Sequence, residues 1–300
     1  MLSSDILWQR ARFFQTVRDF FLNHGYLEAD TPVRLPAPAP EAHIEPVPSG
    51  GWFLQTSPEL CMKRLLAAGE RKIFQICKCF RDKERGRKHL PEFTMLEWYR
   101  SGISYCELMA ECEDMIRFLA EKFLGSLTLK GGKADISLAS PWEYLTLHQA
   151  FDRHGSIPLN EAMKRDLFEE VLVSDIEPHL GVGRPTFLYD FPARMGALAR
   201  LKIDDPALAE RFELYIDGLE LANGFSELVD PQEQRRRFAE ERNRIRKSGR
   251  TPPPMPEAFL AALPDLGECA GIALGLDRLL MLFLRKDSID EVVPFVPEEL

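Results

Sequence analysis

Two strand-like runs, residues 212–216 and 219–227, are joined only by Asp217-Gly218. An Asp-Gly pair between apolar runs signals a two-residue hairpin, because both residues tolerate the positive φ that such a turn needs. This hairpin constrains the chain more than any other stretch. It commits part of the fold to antiparallel pairing, whereas parallel neighbours need a crossover of a dozen or more residues. Further strands are expected at residues 52–56, 72–80, 93–99 and 271–276, and the charged loop 82–90 makes 72–80 and 93–99 antiparallel neighbours. Helices surround them. Residues 7–24 carry Phe13, Phe14, Val17, Phe20 and Phe21 on one stripe, and Gly25 suits a left-handed cap. Ser57 is the expected N-cap of a helix running to residue 66, with Pro58 at its first position. Residues 105–123, 231–247 and 277–284 are also helical, the second as a solvated charged face, while the proline-rich stretch 31–48 is extended. Residues 124–190 carry no clear pattern. The expected fold class is α+β, an antiparallel sheet flanked by helices.

Composition narrows the function. The 300 residues carry a net charge of -9, which argues against a broad nucleic-acid-binding face while leaving room for a local basic pocket. No apolar run approaches the ~20 residues of a membrane span, and the N-terminus carries charges too early for a signal peptide. Six cysteines are scattered, and Cys77 and Cys79 read as small apolar strand residues rather than zinc ligands. The expected location is the reducing cytoplasm.

Five of the eight residues from Arg81 to Lys88 are Arg or Lys. With His89, and with Arg278 far along the chain, they suit a triphosphate held at both ends. Phe93 offers a flat face for a base, and Gly275 lets a ligand approach the backbone. Glu213, Glu220 and Glu227 recur every seven residues about the hairpin. Read as facing one another across it, Glu213 and Glu220 could hold Mg²⁺ with nucleotide phosphates; three solvent-facing strand glutamates is the plain alternative.

Three segments in order resemble the three motifs of class II aminoacyl-tRNA synthetases. These are Gly25-Tyr26 leading to Thr31-Pro32, Phe80-Arg81 with His89-Leu90-Pro91-Glu92-Phe93, and Ala273-Leu274-Gly275-Leu276-Asp277-Arg278. "TSPELCMKRLL", "HLPEFTMLEWY", "RPTFLYDFP" and "FELYIDGLELANGFSELVD" resemble lysyl-tRNA synthetase segments, and the likeness runs from about residue 7 to 284. By that likeness the chain is expected to start at the first catalytic helix, without the OB-fold that reads the anticodon. It is therefore similar to the free-standing paralogues, the elongation factor P lysine ligase family.

That resemblance implies a single catalytic domain over residues 1–300, without an anticodon-binding domain, acting as a homodimer joined through the first motif. It implies an ATP- and Mg²⁺-dependent, AMP-forming ligase that activates lysine or β-lysine and transfers it to the ε-amine of a lysine on elongation factor P, with no tRNA and no membrane involved. Arg81 would take the α-phosphate, His89 the β/γ-phosphates, Phe93 the adenine, and Arg278 the far side. Asp82, Lys83, Glu84, Leu90, Glu220, Leu221 and Gly275 would complete the ATP site, with Mg²⁺ on Glu213 and Glu220. Ser57, Pro58 and Glu59 would approach the substrate amine, Glu97, Tyr99 and Glu227 would hold the cationic end, Asn223 the carboxylate, and Ala273 would floor the pocket and favour β-lysine.

Departures stand out. Lys83 occupies a position where a glutamate is expected to contact ATP, so Glu84 takes over that contact or it is lost. Leu90 replaces an asparagine and could offer only backbone, and Asp190 stands where the ligases often have histidine. Two other functions compete: a synthetase-like enzyme charging tRNA, disfavoured by the charge of -9, and a non-catalytic amino-acid-sensing paralogue, disfavoured by the retained Arg81, Arg278, Glu213 and Glu220.

Overall fold

The computed structural model describes residues 2–132 and 134–300. Its main sheet has eight strands, β1 (Leu27–Glu28), β2 (Lys72–Phe80), β3 (Glu92–Ser101), β4 (Glu143–Thr146), β5 (Thr186–Pro192), β6 (Leu208–Ile216), β7 (Leu219–Ser226) and β8 (Cys269–Gly275). Their order in space is β1-β2-β3-β8-β7-β6-β5-β4. The six inner strands run antiparallel, and β1 and β4 pair parallel at the two edges. The hairpin forms where the Asp-Gly signal put it, with φ of 54° at Asp217 and 69° at Gly218. β4 and most of β5 lie in the stretch 124–190 that carried no clear pattern. β5 is buried along most of its length, so it lacks the apolar–polar alternation that marks a half-exposed strand.

Five helices bear on the site: α1 (Ser4–Asn23), α2 (Glu59–Ala67), α3 (Tyr105–Leu119), α4 (Pro231–Lys247) and α5 (Leu276–Phe283). α1 stops ahead of Gly25, whose φ of 74° only glycine adopts without strain. α2 begins one residue later than expected. Pro58 is its cap residue rather than its first helical one, and the Ser57 hydroxyl accepts from the Glu59 N–H at 3.0 Å. α4 is not wholly solvated, because Gln234, Arg237, Phe238 and Ile245 are buried and Arg237 donates to the Ala197 and Ala199 carbonyls. The proline-rich stretch stays non-helical and contributes Arg34–Leu35 and Pro48–Ser49 to a small sheet with Trp52–Leu54.

Strand alternation divides the main sheet into two chemically different faces. Phe74, Leu96, Trp98, Ile272, Leu274 and Phe212 point to one side and join Phe13, Val17 and Phe21 of α1 and the apolar stripe of α3 in one core. Phe21 anchors it, stacked on Phe74 at 4.7 Å and tilted against Trp98 at 5.2 Å. The intervening residues, Gln75, Met95, Glu97, Tyr99, Gly271, Ala273, Gly275 and Asn223, face the other side, which α2 covers only in part. Register aligns them. Ala273 of β8 lies between Glu97 of β3 and Asn223 of β7, with Gln75 beyond Glu97 and Glu213 beyond Asn223. Cys77 and Cys79 share this face of β2, the first half-buried and the second buried, with their sulfurs 3.9 Å apart.

Gly271 has no room for a side chain. A Cβ there would stand 2.1 Å from Tyr99 Cε1 and 2.8 Å from Glu227 Oε1, whereas one on Gly275 would meet nothing nearer than the flexible Arg278 side chain at 3.6 Å. Gly271→Ala should therefore cost about 1–3 kcal/mol of stability by overpacking, and Gly275→Ala less than about 0.5 kcal/mol. Urea unfolding of the two variants beside wild type checks this; equal midpoints would refute it.

Candidate active site

The floor of the site is the open face of β8, where Gly271, Ala273 and Gly275 follow one another at two-residue spacing. Small residues leave a trough along the sheet. Opposite charges line its two ends.

At the Gly271 end lies a buried cluster of carboxylates. Glu97 accepts from the Ser57 hydroxyl at 2.5 Å and from the Tyr99 hydroxyl at 2.8 Å. Glu227, just past β7, touches the ammonium of Lys63, which also contacts Glu59 one turn back on α2. Lys63 and Glu227 are both nearly inaccessible. The ammonium meets Glu227 through Oε2, which leaves the buried Oε1 without a donor. Burial pushes the Glu97 carboxyl up to about 8, helped by the charge of Glu59 and opposed by the two hydroxyls. Burial likewise raises Glu227 to about 8, although Lys63 pulls it down. Burial opposes the charge on Lys63, but Glu227 and Glu59 outweigh it and hold the ammonium above its ordinary range. Three carboxylates therefore share one cation. Beside them, Gln75 Oε1 and Asn223 Oδ1 are buried without a donor. An unmet buried acceptor costs roughly 1–3 kcal/mol, so this end is built to receive N–H donors.

At the Gly275 end the charges reverse. A cleft of about 520 Å³ is walled by Arg81, Lys88, His89, Phe93, Glu220 and Arg278 among others. Arg278, at the start of α5, spans it, donating to the Lys88 carbonyl at 3.1 Å, the Glu220 carbonyl at 2.8 Å and His89 Nε2 at 2.6 Å. Acceptance at Nε2 requires a neutral His89 ring. Arg81 stacks on Phe93, 5.1 Å from the ring centroid, and its buried Nε has no acceptor. The neighbouring Asp277 plays a different part: it is buried, accepts from the Thr94 N–H and pairs with Arg10 of α1 at 2.6 Å, tying α5 to β3.

The loop departures have a structural outcome. Lys83 takes a positive φ of 64° and turns its ammonium out to Glu45 at 2.9 Å. Glu84 faces Arg81 at 3.9 Å, and both Lys83 and Glu84 border the cleft. Asp82 is half-buried beside Lys83, and its N–H donates to the Glu45 carbonyl. The Leu90 side chain is committed to the core. Asp190, also at positive φ (61°), is buried and accepts from the Tyr105 hydroxyl at 2.7 Å and Lys202 at 2.8 Å, as a brace between β5 and α3.

One expectation needs correction. Glu213 and Glu220 do not face each other across the hairpin: Glu213 pairs with Asn223, and Glu220 pairs with Tyr215. A bulge between Leu214 and Tyr215 shifts the register, leaving Leu221 as the extra residue. That extra residue returns Glu220 to the face that carries Glu213, Tyr215 and Asn223. Glu213 accepts from Arg211 at 2.5 Å, Tyr215 at 2.8 Å and Asn223 at 3.3 Å. Glu220 is raised to about 7, by burial first and then by the charge of Glu213. Two crowded carboxylates of this kind fit Mg²⁺, a hard cation that takes few protein ligands and fills its shell with water and phosphate oxygens. Among the described residues no group of three or more His, Cys, Asp or Glu forms a metal cage.

Sequence reasoning missed Lys63, Gln75, Arg211 and Gly271. Lys63 carried a faint signal, since it stands four residues after Glu59 on a helix. Gln75 and Arg211 carried none, because only strand register brings them to the trough.

Similarity to known proteins agrees with this architecture. The family tRNA synthetases class II (D, K and N) matches residues 2–299. A protein of Klebsiella pneumoniae (strain 342) is 38% identical over 322 residues, covering 96% of this chain and 94% of its own length. One of Vibrio atlanticus (strain LGP32) is 40% identical over 325 residues, with 96% and 94% covered. One of Proteus mirabilis (strain HI4320) is 40% identical over 306 residues, also with 96% and 94% covered. All three are named elongation factor P–(R)-β-lysine ligase. With the family matched end to end and relatives at this identity over nearly the whole length, the chain belongs to the class II tRNA synthetases (D, K and N), in the branch of the elongation factor P–(R)-β-lysine ligases.

Proposed function

We propose that the protein activates a lysine-type diamino acid, (R)-β-lysine foremost, as its adenylate, and passes it to a lysine ε-amine of elongation factor P. Class II synthetase-like ligases use ATP and Mg²⁺ in general. The observation that carries the reading is the polarity of the trough: unmet buried acceptors around Glu227, Gln75 and Asn223 at one end, and Arg81, His89 and Arg278 at the other. A diamino carboxylate lies along such a trough in one sense only. Its ammonium groups go to the carboxylates, and its carboxylate goes toward the guanidinium groups.

In this reading Arg81 binds the α-phosphate, and its stacking leaves the other face of Phe93 for adenine. Arg278 bridges the loop carbonyl of Lys88 and the carbonyl of Glu220, which keeps both walls at a fixed separation before ATP arrives. Glu220 and Glu213 would hold Mg²⁺, which supplies neutralising charge to the phosphates. The substrate carboxylate attacks the α-phosphorus in line and pyrophosphate leaves. No protein base is needed for this step, because the attacking group is already ionised; positioning and fixed cations lower the barrier. The acceptor amine then attacks the mixed anhydride and AMP departs. Lys83 turns away to Glu45, so Glu84 takes the place of the expected glutamate beside Arg81.

Four measurements test this. Arg278→Ala removes the bridge and a phosphate contact worth about 2–4 kcal/mol of transition-state stabilisation, so ATP–pyrophosphate exchange should fall by two to three decades with folding little changed; exchange at the wild-type rate would reject the assignment. Glu97 and Glu227 stand near 8, above the ordinary carboxylate range, so their ionised forms become available only as pH rises through that value. The KM for the amino acid should therefore fall from pH 6.5 to 8.5, by at most about tenfold per unit for each carboxylate, before the substrate ammonium itself titrates. Glu227→Gln should weaken amino-acid binding far more than ATP binding and flatten that pH dependence; equal losses for both ligands would reject the pocket. Ala273 adds a methyl group to the floor between Glu97 and Asn223. One methylene-scale contact is worth about 10–200-fold in preference, so kcat/KM should favour β-lysine over α-lysine and Ala273→Gly should narrow or reverse the ratio. A ratio that does not move would clear Ala273 of the role.

A further inference from the structure

Lys63 has no part in the scheme above, yet it is one of the deeply buried charges of the trough. Its side chain is 2% exposed and its ammonium contacts Glu59 and Glu227. The remaining directions are closed by the rings of Phe225 and Phe259, with centroids 5.0 and 5.8 Å from Nζ. A site that needed only volume would hold Met or Leu without the cost of burying an ammonium. This lysine is spent on two carboxylates that come from different elements, one on α2 and one just past β7.

We propose that Lys63 is a positioning residue for the amino-acid substrate, a resident ammonium that locks Glu227 and Glu59 in place and leaves the pocket with charge for two further ammonium groups. The inference rests on the amino-acid pocket proposed above. Ionised Glu59, Glu97 and Glu227 against Lys63 leave two uncompensated negative charges. A diamino acid brings two ammonium groups to this end, whereas a monoamino acid leaves one buried carboxylate unpaired. Selection for diamino acids then follows from charge balance and not only from the length of the pocket. Without Lys63, Glu227 would face Glu59 from α2, Glu97 and Tyr99 from β3 and the Cys269 thiol from β8, with no cation among them.

The test compares Lys63→Met and Lys63→Arg in the full chain by ATP–pyrophosphate exchange, with β-lysine and with an analogue lacking the distal amine. Lys63→Met should raise the KM for β-lysine about 100-fold, because it strands a buried carboxylate, and leave the KM for ATP within about twofold. It should also move the acid limb of the amino-acid kcat/KM profile to higher pH and reduce the preference for the diamino substrate. Lys63→Arg, which keeps the charge, should recover most of the loss. If the two variants are equally impaired for both ligands, with pH profile and selectivity unchanged, Lys63 is a packing residue and the inference falls. Should Lys63→Met not fold, the double variant with Glu227→Gln decides: recovery of folding supports the charge pairing, and failure of the double variant overturns it. An unselective loss in Glu227→Gln alone would bring down the pocket itself, whereas a selective loss there with an indifferent Lys63→Met removes only this inference.

Discussion

The antiparallel register of β8 between β3 and β7 is the constraint on which the rest depends. It puts Ala273 beside Glu97 on one side and Asn223 on the other, and Gly271 beneath Tyr99. A one-residue slip would turn Ile272 and Leu274 outward and bury the polar row in the aromatic core. The slip is prevented from both sides of the sheet. On one, Ile272 and Leu274 belong to the core shared with α1 and α3; on the other, only glycine fits under Tyr99. The same pairing that stabilises the sheet therefore sets the spacing of the site.

Electrostatics then divides the trough. The protein is acidic as a whole, with a net charge of -9, yet five of the eight residues from Arg81 to Lys88, where β2 and β3 connect, are Arg or Lys. Arg81 is held by stacking on Phe93 and Arg278 by two backbone carbonyls. Neither guanidinium is neutralised by a tight carboxylate partner, Glu84 lying 3.9 Å from Arg81. Positive charge held by neutral partners remains available to an anion. At the other end the arrangement inverts: carboxylates outnumber the single Lys63, and burial makes their excess charge costly until a cation arrives.

Asp277 and Asp190 illustrate how motif residues divide between chemistry and support. Asp277 adjoins Arg278 in the third motif, but it is buried against Arg10 and the Thr94 N–H, where it fixes the orientation of α5 and hence of Arg278. Asp190 ties β5 to α3 through Tyr105 and Lys202, so its partners are internal ones.

Local chemistry explains what could be read from the chain alone. The Asp-Gly turn, the aromatic stripe of α1 and the glycine that ends it act within a few residues, so they were legible without a fold. The basic loop, Arg278, Glu97 and Glu227 were legible through short motifs whose order along the chain is specific. What escaped depended on contacts between distant segments. The bulge at Leu221 changes which residues Glu213 and Glu220 face, and a bulge leaves no periodic trace. Lys63 looked like an ordinary helix residue until α2 docked on the sheet and brought it to Glu227. Gln75 gained meaning only from its register with Glu97. The sequence by itself determined the elements and the types of charge the site would hold, because propensity and motif are local properties. Tertiary structure alone decided which charges are paired and which are stranded, because burial and cross-strand register exist only once the sheet has closed.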